Sequence, residues 1–216
     1  MRILAIETAS EACSVALFDG SRCIAHDHRV LGRGHAEALV PMIAELPDKG
    51  RADRILTSLG PGSFTGVRIG IATARALGFA WGAQVLGYPT LNLVAVQSWQ
   101  PTPRAVTVCM NGGHGEWFVQ SFAASGAPET DPQSLRPDAI SAAGIHPVII
   151  GNRARECADL FSDERLVIDM LPDARQTHLL HEARLTIDLA PIYGRAPDAV
   201  PQKAKPAGPA SRNATA

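Results

Sequence analysis

The stretch LGPGSFTGVRIGIATARALGFA, residues 59–80, constrains the fold more than any other part of this chain. A turn made of Gly60, Pro61 and Gly62 leads into an apolar segment whose period predicts a helix from about Thr65 to Trp81, with Ser63 or Thr65 as its N-cap. Within it Gly66, Gly70, Ala74 and Gly78 recur every four residues, while Val67, Ile71, Leu77 and Phe79 cover other sides. Glycine in a helix interior costs about 1 kcal/mol relative to alanine, so a row containing three of them implies a compensating close approach. The neighbour is either a helix of another subunit or this chain's own lobe, and spacing alone admits both. A helix apolar nearly all round is buried on more than one side. A sheet and the preceding helix can cover part of it, leaving the remainder for a second subunit.

The elements around this helix alternate between strand and helix. Ile3 to Ile6 is a continuous apolar run, as in a strand buried on both faces, and Cys13 to Phe18 is a second strand. Asp19-Gly20 turns into a third, from Arg22 to His28, which completes a meander. Ala36, Leu39, Val40 and Ile43 fall on one face of a predicted helix over 34–46, with Glu37 and Glu45 facing away. Strands follow at Arg54–Leu59 and Gln84–Gly87, and Pro89 opens a helix carrying Leu91, Leu93, Val94 and Val96. The PTPR stretch at 101–104 marks a boundary. Beyond it, strands at Ala105–Met110 and Glu116–Phe122 flank the turn Asn111-Gly112-Gly113, and a strand at Val148–Ile150 leads to a helix at Arg153–Phe161. The expected class is α/β, with mixed sheets flanked by helices: one lobe over residues 1–100, a smaller one over 105–190, and a proline-rich extension over 191–216 that ends in a mobile tail.

Composition narrows the function. With 216 residues, 46% of them hydrophobic, the chain can bury two lobes of roughly 100 residues each. Its 20 basic and 21 acidic side chains leave a charge of −1, so no long-range field draws it to nucleic acid or an anionic membrane. RNA would have to be held by a partner. Cys13, Cys23, Cys109 and Cys157 form no C-x-x-C pair and read as reduced core residues. The opening run RILAI is too short for a signal peptide's apolar region or a membrane span, so a cytoplasmic location is expected. His35, His114, His178 and His181 form no recognisable metal set; the last two stand three apart on a predicted helix face, a pattern more often solvated than ligating. The turn at 60–62 feeds a helix N-terminus, where unpaired N–H groups can hold an anion, so Gly62 and Ser63 are candidate anion-binding residues. For Ser63 the residue pattern favours capping. The turn lacks the lysine of a Walker loop and the G-x-S-x-G of a nucleophile elbow, and no catalytic residue is assigned.

ILAIETASEACSVALFDG at the start, RGHAEALVPMI at 33–43, LGPGSFTGVRIGIATARALGFA at 59–80 and IYGRAPDAVPQK at 192–203 stand in the order of the TsaB family's signatures, and the chain resembles that family. The resemblance implies a two-lobed actin-like (ribonuclease H-like) fold of the ATPase and sugar-kinase superfamily. That superfamily places its first phosphate loop where this chain has IETAS, which makes Thr8 and Ser10 candidate nucleotide contacts beside Gly62 and Ser63. It implies a non-catalytic subunit that pairs with the catalytic TsaD through the helices at 34–46 and 65–81. His35, Leu39, Met42, Gly66, Arg68, Gly70, Ala74 and Gly78 are then the expected partner-binding residues. The complex, with an accessory TsaE-like ATPase, forms threonylcarbamoyladenosine beside the anticodon of transfer RNA. ATP and metal are expected on the partner subunits and none on this chain; whether the chain alone forms a homodimer through the same helices is left open by the sequence. TsaD binds metal through a V-N-H-x-x-x-H pattern, but here Thr90 and Val94 stand in place of its histidines. The family's D-A-R-x-G-E stretch is also altered, to Asn111-Gly112-Gly113-His114-Gly115-Glu116.

Two other readings are enzymatic. A small actin-like kinase or carbamoyl-type transferase would need phosphate loops in both lobes and an acid for magnesium, for which Glu7 is the candidate. A glycoprotease-like peptidase would need an activated nucleophile or a metal-bound water, and neither signature is present.

Overall fold

A computed structural model describes residues 1–98 and 102–194. The first lobe contains β1 (Arg2–Glu7), β2 (Ala12–Asp19), β3 (Arg22–Val30), α1 (His35–Glu45), β4 (Arg54–Ser58), α2 (Phe64–Trp81) and β5 (Gln84–Tyr88). After α3 (Thr90–Gln97) come β6 (Val106–Gly113), β7 (Glu116–Phe122), β8 (Gln133–Leu135), α4 (Pro137–Ile140), β9 (Val148–Ile150), α5 (Ala154–Ala158) and β10 (Leu166–Ile168).

The two five-stranded sheets have the orders β3-β2-β1-β4-β5 and β10-β9-β6-β7-β8. In the first, β1 runs antiparallel to β2 and parallel to β4; in the second, β6 runs antiparallel to β7 and parallel to β9. The second sheet thus repeats the topology of the first, strand for strand. Each has an antiparallel meander on one side and parallel strands reached through helices on the other, as crossover geometry requires.

Alternation along the strands assigns the layers. Leu4 and Ile6 of β1 and Val15 and Leu17 of β2 face α1 and α2, while Ala5, Ala16 and Phe18 face the opposite way. Helix α3 lies between the sheets. Its Leu93 and Val96 pack with the first sheet, and its Leu91, Val94 and Ala95 pack with Val106, Val108 and Phe122 of the second. That double burial explains why α3 is apolar on every side. The other face of the second sheet is covered by α4 and α5 through Ile140, Ala154 and Cys157.

Several expectations are revised. In α1 the buried set is His35, Leu39, Met42 and Ile43, while Ala36 and Val40 face out. His178 lies in a 3-10 turn, Ala174–Leu179, and His181 caps another, Glu182–Arg184, so the two do not share an α-helical face. The stretch from Asp173 to Ile192, counted above with the second lobe up to residue 190, packs on the first. Ser14 Oγ donates to Asp173, Gly87 and Thr186 exchange backbone hydrogen bonds of 2.8 and 3.0 Å, and Ile192 N–H donates to the Leu59 carbonyl. The expected tail over 191–216 lies outside the described residues from 195 onward. Cys13, Cys109 and Cys157 are buried, Cys23 is half-buried, and all four are free thiols. No helix among the described residues is long and apolar enough to cross a membrane.

Candidate functional site: an interlobe cleft and an exposed helix face

The strands β1 and β4 end at one edge of the first sheet, where the loops after them close on each other. Ala9 N–H donates to Glu7 Oε1 at 2.7 Å, and the Ala9 carbonyl accepts from Ser63 N–H at 2.7 Å. Gly62 sits directly on Ala9, with no room for a Cβ between them. Thr8 is fully buried and its hydroxyl donates to the Gly66 carbonyl at 2.8 Å. Ser63 caps α2 by accepting from Gly66 N–H, and Ser10 Oγ accepts from Ala12 N–H.

A cavity of about 870 Å³ opens between the lobes. Ser10, Gly62, Ser63 and Arg68 line it on one side and Asn111, Gly112 and His114 on the other, so the structure brings together three of the four candidate anion-binding residues and leaves out Thr8. Thr8 points instead under α2, where it supports the helix. Arg68 lies over the Phe64 ring at 3.7 Å and donates to the Tyr193 hydroxyl at 2.9 Å. The aromatic wall supplied by Tyr193 was not singled out from sequence, since it comes from a segment 125 positions beyond Arg68.

Glu7, the candidate acid for magnesium, does not line the cleft; the carboxylate that does is Glu11. Glu7 is fully buried, and burial pushes its carboxyl up to about 7 against the hydrogen bonds that favour its charge. The second-lobe turn offers Asn111, two glycines and His114 but no carboxylate. Among the described residues no group of three or more His, Cys, Asp or Glu side chains could hold a metal. Thr90 and Val94 are buried at the start of α3.

The glycine row has an internal neighbour. A Cβ on Gly66 would meet the Thr8 carbonyl; on Gly70, Thr8 Oγ1 at 2.5 Å; on Gly78, the Val85 side chain. Ala74 is fully buried with Leu4 and Ile55. The row therefore lets α2 lie tightly on its own sheet, which removes the geometric reason for giving Gly66, Gly70, Ala74 and Gly78 to a partner. His35, Leu39 and Met42 also face inward, with His35 Nε2 3.2 Å from the Ala12 carbonyl. Of the eight predicted partner residues, Arg68 alone is exposed.

The outward side of the same helices carries a stripe of apolar residues beside the exposed charges Glu37, Glu45, Arg68 and Arg75. Ala36, Val40 and Ala44 of α1 and Ala72, Ala76, Phe79 and Ala80 of α2 are exposed. Phe79 is 94% exposed and Val40 55%. Because α1 and α2 pack in contact on one face of the sheet, both stripes lie on the same side of the lobe. The spacings 36, 40, 44 and 72, 76, 80 were the available signal.

Paired sheets of one topology, enclosing a cleft beside a shared helix, define an actin-like fold. The sequence model of the family described as "TsaD: tRNA N6-adenosine threonylcarbamoyltransferase" matches residues 29–131. The tRNA threonylcarbamoyladenosine biosynthesis protein TsaB of Escherichia coli is 41% identical over 105 residues, which cover 46% of this chain and 45% of that protein. An uncharacterized protein of Mycobacterium leprae is 28% identical over 211 residues, covering 92% of this chain and 56% of that one. The chain spans about half the length of the curated relatives it matches. The structure of YeaZ from Pseudomonas aeruginosa superposes with a TM-score of 0.75 at 24% identity, covering 89% of this chain and 99% of that one, which establishes the fold. The sequence likeness to TsaB thus spans under half of each chain, and the likeness to YeaZ is one of fold.

Proposed function

We propose that this chain is a non-catalytic subunit that pairs with a TsaD-like enzyme in forming threonylcarbamoyladenosine on transfer RNA. The observation that carries the reading is the exposed apolar face of α1 and α2, centred on Val40 and Phe79, in a chain whose matching relative is named for this biosynthesis. A face of small residues lets another helix pair approach closely, and an aromatic side chain at its centre is a typical energetic anchor. In this reading ATP and metal belong to the TsaD-like subunit and a TsaE-like ATPase, transfer RNA is engaged only through the complex, and the setting is the cytoplasm. Without its partner the same face would serve a homodimer.

The test is co-purification with the TsaD-like subunit of the same cell and assay of transfer RNA modification by each alone and by both. Modification only in the mixture supports the reading; modification by this chain alone overturns it. Ala76→Arg, which places a charge on the outward face, is expected to weaken association at least about 30-fold while changing folding stability by no more than about 0.5 kcal/mol. Unchanged association would remove this face from the interface. The kinase-like alternative rests on the cavity alone, and ATP binding to the isolated chain, measured by calorimetry, would revive it.

A further inference from the structure

Asn152, in the turn between β9 and α5, joins the lobes at the cleft. Its Nδ2 donates to both carboxylate oxygens of Glu11, each at 2.8 Å, and its Oδ1 accepts from Asn111 N–H at 2.9 Å. Neither end of this link is loose. Glu11, in the loop after β1, uses its carbonyl to accept from Leu31 and Gly32 N–H at 2.9 and 3.0 Å. Asn111 opens the β6–β7 turn, and its Oδ1 accepts from Gly113 N–H at 3.2 Å. Asn152 is itself held to β6, since Arg153 N–H donates to the Cys109 carbonyl at 3.1 Å and Gly151 packs against that same carbonyl. Glu11, Gly32, Asn111 and Gly113 all line the cavity.

We propose that Glu11, Asn152 and Asn111 form a clasp that sets the separation of the two lobes across the cleft. Helix α3, buried between the sheets, is the stiff connection about which they move, and the clasp restrains that movement from within the cleft. A carboxylate held by an amide is a charge-assisted contact, stronger than a neutral hydrogen bond. A network with members in both lobes transmits the loss of one member to the other lobe. The clasp is independent of the subunit role proposed above.

Hydrogen exchange of the full chain, read amide by amide, tests it with Glu11→Ala, Asn152→Ala and the double variant. Each single change is expected to speed exchange about fivefold at Leu31 and Gly32 in the first lobe and at Asn111 and Gly113 in the second, with the double variant no faster than either single one. Amides within α2 and α3 should keep their rates, which separates opening from unfolding. Should either alanine variant fail to fold, Glu11→Gln decides: it keeps the size of the side chain but replaces two charge-assisted hydrogen bonds from Asn152 with at most one neutral one, so second-lobe amides should still exchange faster. Effects of Glu11 variants confined to the first lobe, or additive effects in the double variant, would overturn the clasp and leave two local contacts.

Discussion

Gly66→Ala is expected to destabilise the folded chain by about 3 kcal/mol or more, at the upper end of what overpacking costs. The added methyl would meet the Thr8 carbonyl, a backbone atom, and no rotamer change can relieve that contact. The Thr8 hydroxyl donates to the Gly66 carbonyl at 2.8 Å and the Ala9 carbonyl accepts from Ser63 N–H at 2.7 Å, so lifting the helix would break both bonds. Gly70→Leu should be worse, because its Cβ alone would lie 2.5 Å from Thr8 Oγ1 and 3.2 Å from Thr57 Oγ1. Gly82→Ala is the contrast. Nothing lies within 4 Å of its Cβ, and only the left-handed φ of 66° opposes it, at about 1 kcal/mol. Urea unfolding followed by circular dichroism measures all three. Unchanged stability in Gly66→Ala would mean that α2 stands off its sheet, and would return the glycine row to a partner.

The same row shows where sequence reading stops. A glycine every four residues states that something lies close, but the identity of the neighbour depends on strand pairings. Thr8, Thr57 and Val85 come under the row because β1, β4 and β5 are adjacent in the sheet. No local period encodes that adjacency. Helix α2 is apolar on two opposite sides, and a helical pattern cannot tell the side that meets its own sheet from the side that meets solvent; Phe79 fell on the second. The first lobe was legible because its strands are long and its turns carry glycine or proline. In the second lobe β9 was legible as the apolar run Val148–Ile150, but β8 and β10 have three residues each, too few for alternation to register, so the repetition of the first sheet's topology became visible only in the pairing. The cavity unites Ser10, His114 and Tyr193, residues separated by some of the longest spans of the chain, and such convergence has no sequence signature.

Glu7 predicts a pH dependence of stability near neutrality. Its carboxyl is buried, accepts from Ala9 N–H at 2.7 Å and from the Tyr88 hydroxyl at 3.2 Å, and is pushed by burial from 4.5 up to about 7. The folded state therefore keeps a proton that the unfolded state releases. Below pH 4.5 both states are protonated and the full stability is present; between 4.5 and 7 it falls at about 1.4 kcal/mol per unit, for a total on the order of 3 kcal/mol; above 7 it levels off. Asp173 does not blur this window. Burial opposes its charge, but hydrogen bonds from Arg175 outweigh that and lower it below 3.8, so its own contribution is lost only in stronger acid. Glu7→Gln preserves the shape and an acceptor for Ala9 N–H while removing the ionisation. The parent chain should melt at a higher temperature at pH 5 than at pH 8, and Glu7→Gln should narrow that difference and be the more stable of the two at pH 8. Equal pH profiles for both chains would show that Glu7 is already ionised in the fold, and a carboxylate at the end of β1 would then again be available to a cation in the cleft.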